Sequence, residues 1–149
     1  MKDKRAFVIY ILLTVILWQL CDSLSVIFSK SNIDNPIFSI STTNNTGAAF
    51  GILNNSSLFL GFLGIIAIFC IGFYVFKKVS FENRGNLFFT SFFSAGILGN
   101  TVQRMTDGVV FDFIKLNFIE FPIFNLFDIL ICTSVIIYIL CCFKGDTAH

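Results

Sequence analysis

Charge is scarce in this sequence. Of 149 residues, 13% are Asp, Glu, Lys or Arg and 56% are hydrophobic, with a mean hydropathy of +0.85, which is too apolar for a soluble domain of this length. Histidine is scarcer still: the single copy, His149, is the last residue. Serine chemistry through an imidazole base is therefore disfavoured, and counting leaves only a Ser-Lys pair open. No basic surface for nucleic acid is present, because a net charge of +1 is spread in small clusters between apolar runs. Cysteine is not lacking, but Cys21, Cys70, Cys132, Cys141 and Cys142 all lie in or beside apolar runs. None pairs with another at metal-ligand spacing in a polar loop, so they read as membrane packing residues. Internal repeats and low-complexity tracts are also missing.

What is there is a set of long hydrophobic runs. A helix needs about 20 apolar residues to cross a bilayer core, and stretches of roughly that kind occur at about Ala6 to Phe28, Leu58 to Phe76, Leu87 to Gln103 and Phe124 to Phe143. The third is the shortest and the most interrupted by glycine. The expected fold is an all-α membrane protein with four transmembrane helices in a single domain over residues 1–149. Seven basic residues (Lys2, Lys4, Arg5, Lys77, Lys78, Arg84, Lys144) fall on one side of these spans and three (Lys30, Arg104, Lys115) on the other. The positive-inside rule then places both termini and the middle loop in the cytoplasm. The first span resembles a signal peptide in its basic flank, but its length and the three spans that follow favour a retained helix. Leu20, bulky before Cys21, also argues against a lipoprotein cleavage site there. The Ser- and Asn-rich loop from about Ser29 to Ser57 contains short apolar pieces at Ile37 to Ile40 and Ala48 to Ile52. It is expected to form a small extracytoplasmic β-rich segment lying on the membrane. The loop from about Met105 to Ile123 is too apolar for a free linker and is expected to rest in the interface.

Ionisable residues at membrane depth are costly, so each is a functional candidate. Asp112 lies within Val109 to Ile114 and Asp128 at the outer end of the fourth span, both on the outer side, with a connection short enough to fold one toward the other. Two carboxylates held close in an apolar setting tend to share one proton. The ionised member can then draw a proton from water while the protonated member donates to a scissile carbonyl, which is peptide hydrolysis without a metal, cofactor or covalent nucleophile. A lone Asp at a helix end is also often a cap or an interfacial anchor, and spacing does not decide between these.

Four blocks, in order, resemble the motifs of the lipoprotein signal peptidase (signal peptidase II) family. Asn45-Thr46-Gly47-Ala48-Ala49-Phe50-Gly51 resembles Asn-x-Gly-x-Ala-Phe, and Gly99-Asn100-Thr101-Val102-Gln103-Arg104 resembles Gly-Asn-x-x-Asp-Arg except at Gln103. Gly108 to Ile114 resembles Gly-x-Val-Val-Asp-Phe-Ile, and Phe121 to Asp128 resembles Phe-Pro-x-Phe-Asn-x-Ala-Asp. The resemblance implies an intramembrane aspartic endopeptidase of the bacterial inner (cytoplasmic) membrane with Asp112 and Asp128 as its catalytic pair. It implies diacylglyceryl-modified prolipoprotein substrates, cut before the lipidated cysteine, with membrane lipid as the other partner. Asn45, Gly47, Asn100, Arg104 and Asn125 fall in the matching blocks as supporting residues. Asn100 and Arg104, four apart, share a helical face, and Asn125 stands three before Asp128. Arg104 can bind a backbone carbonyl, hold a carboxylate ionised, or act as an interfacial anchor.

The chain also departs from the family pattern. Where the family has Leu-Asp-Gln-x-x-Lys in the first helix, this sequence has Trp18 and Asp22 in place of the acid and the lysine; Gln103 replaces an acid, and Phe111 and Phe127, the latter in place of an alanine, add bulk beside the two aspartates. Asp22 paired with Arg104 is one replacement to look for. A catalytically silent paralogue that binds lipidated signal peptides or membrane partners is the alternative to an active enzyme. A transporter is disfavoured, because the polar residues gather at the outer end instead of tracing a path across. Glycine spacings such as Gly61 with Gly64 and Gly96 with Gly99 suggest close packing within a monomer.

Overall fold

The structure is a computed structural model that describes residues 3–48 and 52–146, with side chains described as far as residue 140. Its elements in chain order are α1 (Lys4–Phe28), β1 (Phe38–Asn45), α2 (Ser57–Lys78), α3 (Arg84–Thr106), β2 (Val110–Leu116) and α4 (Leu126–Asp146). The chain is thus mostly helical with one small two-stranded sheet. Polar caps start three of the helices: Asp3 accepts from the Arg5 and Ala6 amides, Asn83 from the Asn86 amide, and Asn125 from the Phe127 and Asp128 amides. Such caps satisfy N–H groups that have no partner within the helix. Asp3 also accepts from the Phe81 amide, which ties the start of α1 to the turn between α2 and α3.

By length and composition α1 and α2 are apolar enough to cross a membrane. Their outward residues, among them Ile16, Leu20, Phe62, Ile66 and Phe69, are exposed, as suits a surface bathed in lipid and not in water. α3 has a different character. It packs against α1, α2 and α4, and its buried face is made of small and polar residues, including Ser91, Ser94, Ala95, Gly96, Gly99 and Asn100. Surrounded by protein, it needs little apolar surface of its own. The helix extends beyond the apolar stretch that the sequence shows: at 23 residues, α3 is longer than α2 with 22 and α4 with 21. The apolar run was short, but the helix continues through polar residues at both ends.

The Gly64 backbone lies against the Thr101 side chain, and a Cβ at Gly96 would stand 2.6 Å from both the Phe127 carbonyl oxygen and the Ile131 side chain. The small residues therefore let α2 and α4 approach α3 closely. Of the cysteines with described side chains, Cys21 is buried in packing as expected, whereas Cys70 and Cys132 are exposed. α4 begins at Leu126 instead of the expected Phe124, because Phe124 is engaged in a β-bridge.

The sheet is also paired differently from expectation. β1 pairs antiparallel with β2, a strand of the connection between α3 and α4, and not with the piece around Ala48 to Ile52, of which residues 49–51 lie outside the described residues. Val110 to Leu116, expected as an interfacial loop, is this strand. Its apolar and β-branched residues suit a half-buried ladder. Pairing runs from Phe38 with Leu116 to Ile40 with Ile114, then resumes with Thr43 opposite Asp112. β1 thus holds one extra residue, a bulge that bends the strand locally. The other edge of β2 is covered by Phe124, whose backbone exchanges hydrogen bonds with Ile114.

Candidate active site

The bulge and the Phe124 bridge together determine which side chains meet. Phe124 is held beside β2, so the next residue, Asn125, stands next to Asp112 at the point where α4 begins. Asn125 is 1% exposed and uses every hydrogen-bonding position of its amide. Its Oδ1 accepts from the Phe127 and Asp128 amides at 2.8 and 3.1 Å, while Nδ2 donates to Asp112 Oδ1 at 2.7 Å and to Asn100 Oδ1 at 3.1 Å. A flipped amide would turn donors onto donors, so its orientation is fixed. Asp128 returns the favour by accepting from the Asn125 backbone N–H through Oδ2 at 3.1 Å, a reciprocal capping box. The cap reading of Asp128 therefore holds, and capping occupies its Oδ2 while leaving Oδ1 for a partner from α3.

Asn100 closes the circuit from α3: its Nδ2 donates to Asp128 Oδ1 at 2.9 Å. Asn45, diagonal to Asp112 across the sheet, donates from Nδ2 to Asp112 Oδ2 at 2.9 Å. The Oδ1 of Asn45 accepts from the Gly47 amide at 2.9 Å, which turns the chain after β1. Gly47 is there for want of space, since a Cβ would meet the Ile52 carbonyl oxygen at 2.8 Å and Asn54 Oδ1 at 2.9 Å. Arg104 donates to two backbone carbonyls, Gly47 O at 2.9 Å and Asn100 O at 3.3 Å. Asp22 makes no ion pair with it among the described residues, so the charge replacement suggested by the sequence is absent. The Arg104 Nε is buried without a protein partner.

All seven residues singled out in the sequence (Asp112, Asp128, Asn45, Gly47, Asn100, Arg104, Asn125) thus converge, whereas Ala49, Phe50 and Gly51 of the first motif lie outside the described residues. Two contributors were missed. Gln103 Oε1 accepts from the Phe111 amide at 3.0 Å and pins the start of β2 to α3. A neutral amide supplies this acceptor as an acid would, so the departure at Gln103 keeps a contact that its neighbour in the motif, Arg104, gave no hint of. The second is Phe127, which is fully buried behind Asp128 with its ring over Gly99. The motif comparison marked it only as added bulk.

Asp112 is 3% exposed. Burial, seconded by the charge of Asp128, pushes its carboxyl up from the ordinary 3.8 to about 6, against the opposing pull of the Asn45 and Asn125 hydrogen bonds and of Arg104. Asp128 is half-buried. Both carboxylates border one cavity of about 730 Å³ whose polar end carries Asn45, Asn100 and Arg104 and whose other wall is the Ile129, Cys132 and Ile136 face of α4.

A family model described as Signal peptidase (SPase) II matches residues 7–144. The lipoprotein signal peptidase of Lactiplantibacillus plantarum is 30% identical over 122 residues, covering 80% of this chain and 78% of the relative. That of Brevibacillus brevis is 37% identical over 106 residues, covering 70% and 69%. That of Staphylococcus aureus is 35% identical over 115 residues, covering 74% and 68%. Two bacterial membrane enzymes solved by the in meso method share the fold. One has a TM-score of 0.79 at 28% identity, covering 93% of this chain and 89% of the other; the second has 0.76 at 27%, covering 91% and 92%.

Proposed function

The chain belongs to the signal peptidase II family and is a bacterial membrane peptidase that removes signal peptides from prolipoproteins, and on that premise we propose that it works as an aspartic endopeptidase through Asp112 and Asp128. The observation that carries this reading is the Asn125 and Asn100 network, which draws the two carboxylates, from a strand and from a helix start, onto one cavity.

Asp112, the more buried member with the raised carboxyl, is the proton holder, and exclusion of water by bound substrate favours its neutral form further. Asp128 is the base. It takes a proton from a water whose oxygen bonds to the scissile carbonyl carbon, while Asp112 donates its proton to the carbonyl oxygen. When the tetrahedral intermediate collapses, the C–N bond breaks, the proton on Asp128 passes to the leaving nitrogen, and that on the carbonyl oxygen returns to Asp112. Asn45, Asn100 and Asn125 hold the carboxylates in place, and Arg104 anchors the Gly47 turn beside them. The substrate carries diacylglycerol on the cysteine that follows the cut bond, and its acyl chains leave the apolar end of the cavity for the bilayer. Four helices cross the membrane as one domain of a monomer, with both termini cytoplasmic and the site at the outer surface, in contact with lipid.

The silent paralogue is not favoured, because Trp18, Asp22 and Gln103 leave each carboxylate with its full set of partners. The test is cleavage of a diacylglyceryl-modified prolipoprotein by purified protein, beside Asp112→Asn, Asp128→Asn and an unlipidated substrate. Lipid-dependent cleavage lost in both variants is expected. Cleavage that survives in either variant sinks the aspartic assignment.

A further inference from the structure

Two departures from the family pattern fall in one place. Phe127, where the pattern has alanine, is 1% exposed and forms a buried cluster with Cys21, Ala95 and Leu130. Trp18 of α1, where the pattern has an acid, packs against this same cluster. The ring of Phe127 occupies the space that a side chain at residue 99 would need: a Cβ built on Gly99 runs into the ring. Gly99 precedes Asn100, and Phe127 precedes Asp128, so the lock lies one residue behind the Asn100 to Asp128 hydrogen bond of 2.9 Å. We propose that Phe127, seated over Gly99 and backed by Trp18, is a positioning residue that fixes the start of α4 against α3 and thereby sets Asp128 at its working distance from Asp112.

The argument is one of rigid geometry. Gly99 and Asn100 are consecutive on a buried helix, and Phe127 and Asp128 are consecutive in the first turn of the other. Any slide of α4 along α3 must move the ring off its glycine, and packed interiors resist such movement. Without the ring, the capping box still starts the helix, and Ile131 against Gly96 and the Phe89–Tyr138 ring pair still join α4 to α3, but the packing contact beside Asp128 itself is lost. A displacement of about 1 Å at a reacting group is enough for roughly a hundredfold loss of rate.

The proposal rests on the peptidase reading, and its test separates the two. Steady-state cleavage of a diacylglyceryl-modified prolipoprotein is measured for wild type, Phe127→Ala, Phe127→Leu, Gly99→Ala and the double variant Gly99→Ala/Phe127→Ala, each normalised to its folded, monodisperse fraction. Phe127→Ala should lower kcat about a hundredfold with KM within about threefold, and Phe127→Leu should recover most of the loss. Gly99→Ala should be comparably slow alone, yet the double variant should be no slower than Phe127→Ala, because the clash and the ring disappear together. If Phe127→Ala does not fold, the same cycle is read with Gly99→Ala and Phe127→Leu. Wild-type kcat in folded Phe127→Ala, or losses that multiply in the double variant, overturns the positioning role while leaving the peptidase reading intact. A wild type that cleaves no lipidated substrate overturns both.

Discussion

The raised carboxyl of Asp112 makes the protein's stability depend on pH in a direction opposite to that of most paired carboxylates. A folded-state value of about 6 against an ordinary 3.8 means that ionising Asp112 in the folded chain costs roughly 3 kcal/mol more than in the unfolded chain, at about 1.4 kcal/mol per unit. Because the folded value lies above the unfolded one, the advantage is fully present below about pH 4 and is lost as pH rises through about 6. Asp112→Asn removes this titration. It also sets an amide against the donors Asn45 and Asn125, which lowers stability by a roughly constant amount at every pH. The informative quantity is therefore the slope and not the level. With thermal unfolding in detergent followed by Trp18 fluorescence between about pH 4 and pH 8, the wild-type Tm should fall relative to that of the variant by roughly 6–10 °C, at a few degrees per kcal/mol. Titrating groups remote from the site affect both proteins alike and cancel in the difference, so what is left belongs to Asp112 together with the Asp128 charge coupled to it. Parallel Tm curves would refute the raised carboxyl.

Activity should follow the same group: if the free enzyme needs its proton on Asp112, kcat/KM falls as pH rises past about 6, and a pH profile that stays flat to about pH 8 opposes that assignment. Asn125→Ala removes both a helix cap and the bridge between the aspartates; a loss of about 1–2 kcal/mol in stability and at least a hundredfold in kcat/KM is expected from parallel unfolding and cleavage assays. Gln103→Leu frees the Phe111 amide, a partly solvated group, so cleavage should fall only about tenfold and Gln103→Glu should restore it, given the roughly 1 kcal/mol net worth of such a bond. Asp22→Asn should cleave at the wild-type rate, since Asp22 has no hydrogen bond or ion pair among the described residues; a large loss would show that it acts on substrate.

The helices were legible because lipid writes itself into sequence: outward residues such as Ile16, Leu20, Phe62, Ile66 and Phe69 are apolar. α3 was the exception. Its Ser91, Ser94, Gly96 and Gly99 face other helices, and hydropathy measures affinity for lipid, not position in the bundle. The strand at Val110 to Leu116 was hidden for a different reason: its partner β1 lies in another loop, and pairing over that separation leaves no local signal beyond apolar, β-branched composition. The site residues were legible through their motif blocks and helical spacing, yet the way they join was not. Nothing in the spacing says that Asn125 would bond Asp112 through its side chain while bonding Asp128 through its backbone. That follows from Phe124 being drawn onto the edge of β2.

Fold and chemistry share their parts in this site, and the sharing sets a limit on how they can vary. Asp128 lies in the capping box of α4, so its place relative to Asn125 is set by the first turn of a helix and not by a mobile side chain. Asp112 is in a strand fastened on both edges, by β1 and by Phe124. Between these two supports, α4 sits on α3 where Gly96 and Gly99 admit the neighbouring backbone and ring at close quarters. Trp18 and Asp22 of α1, where the family pattern has an acid and a lysine, contribute no hydrogen bond to this circuit of Asn45, Asp112, Asn125, Asn100 and Asp128, so these two departures leave every bond within it in place.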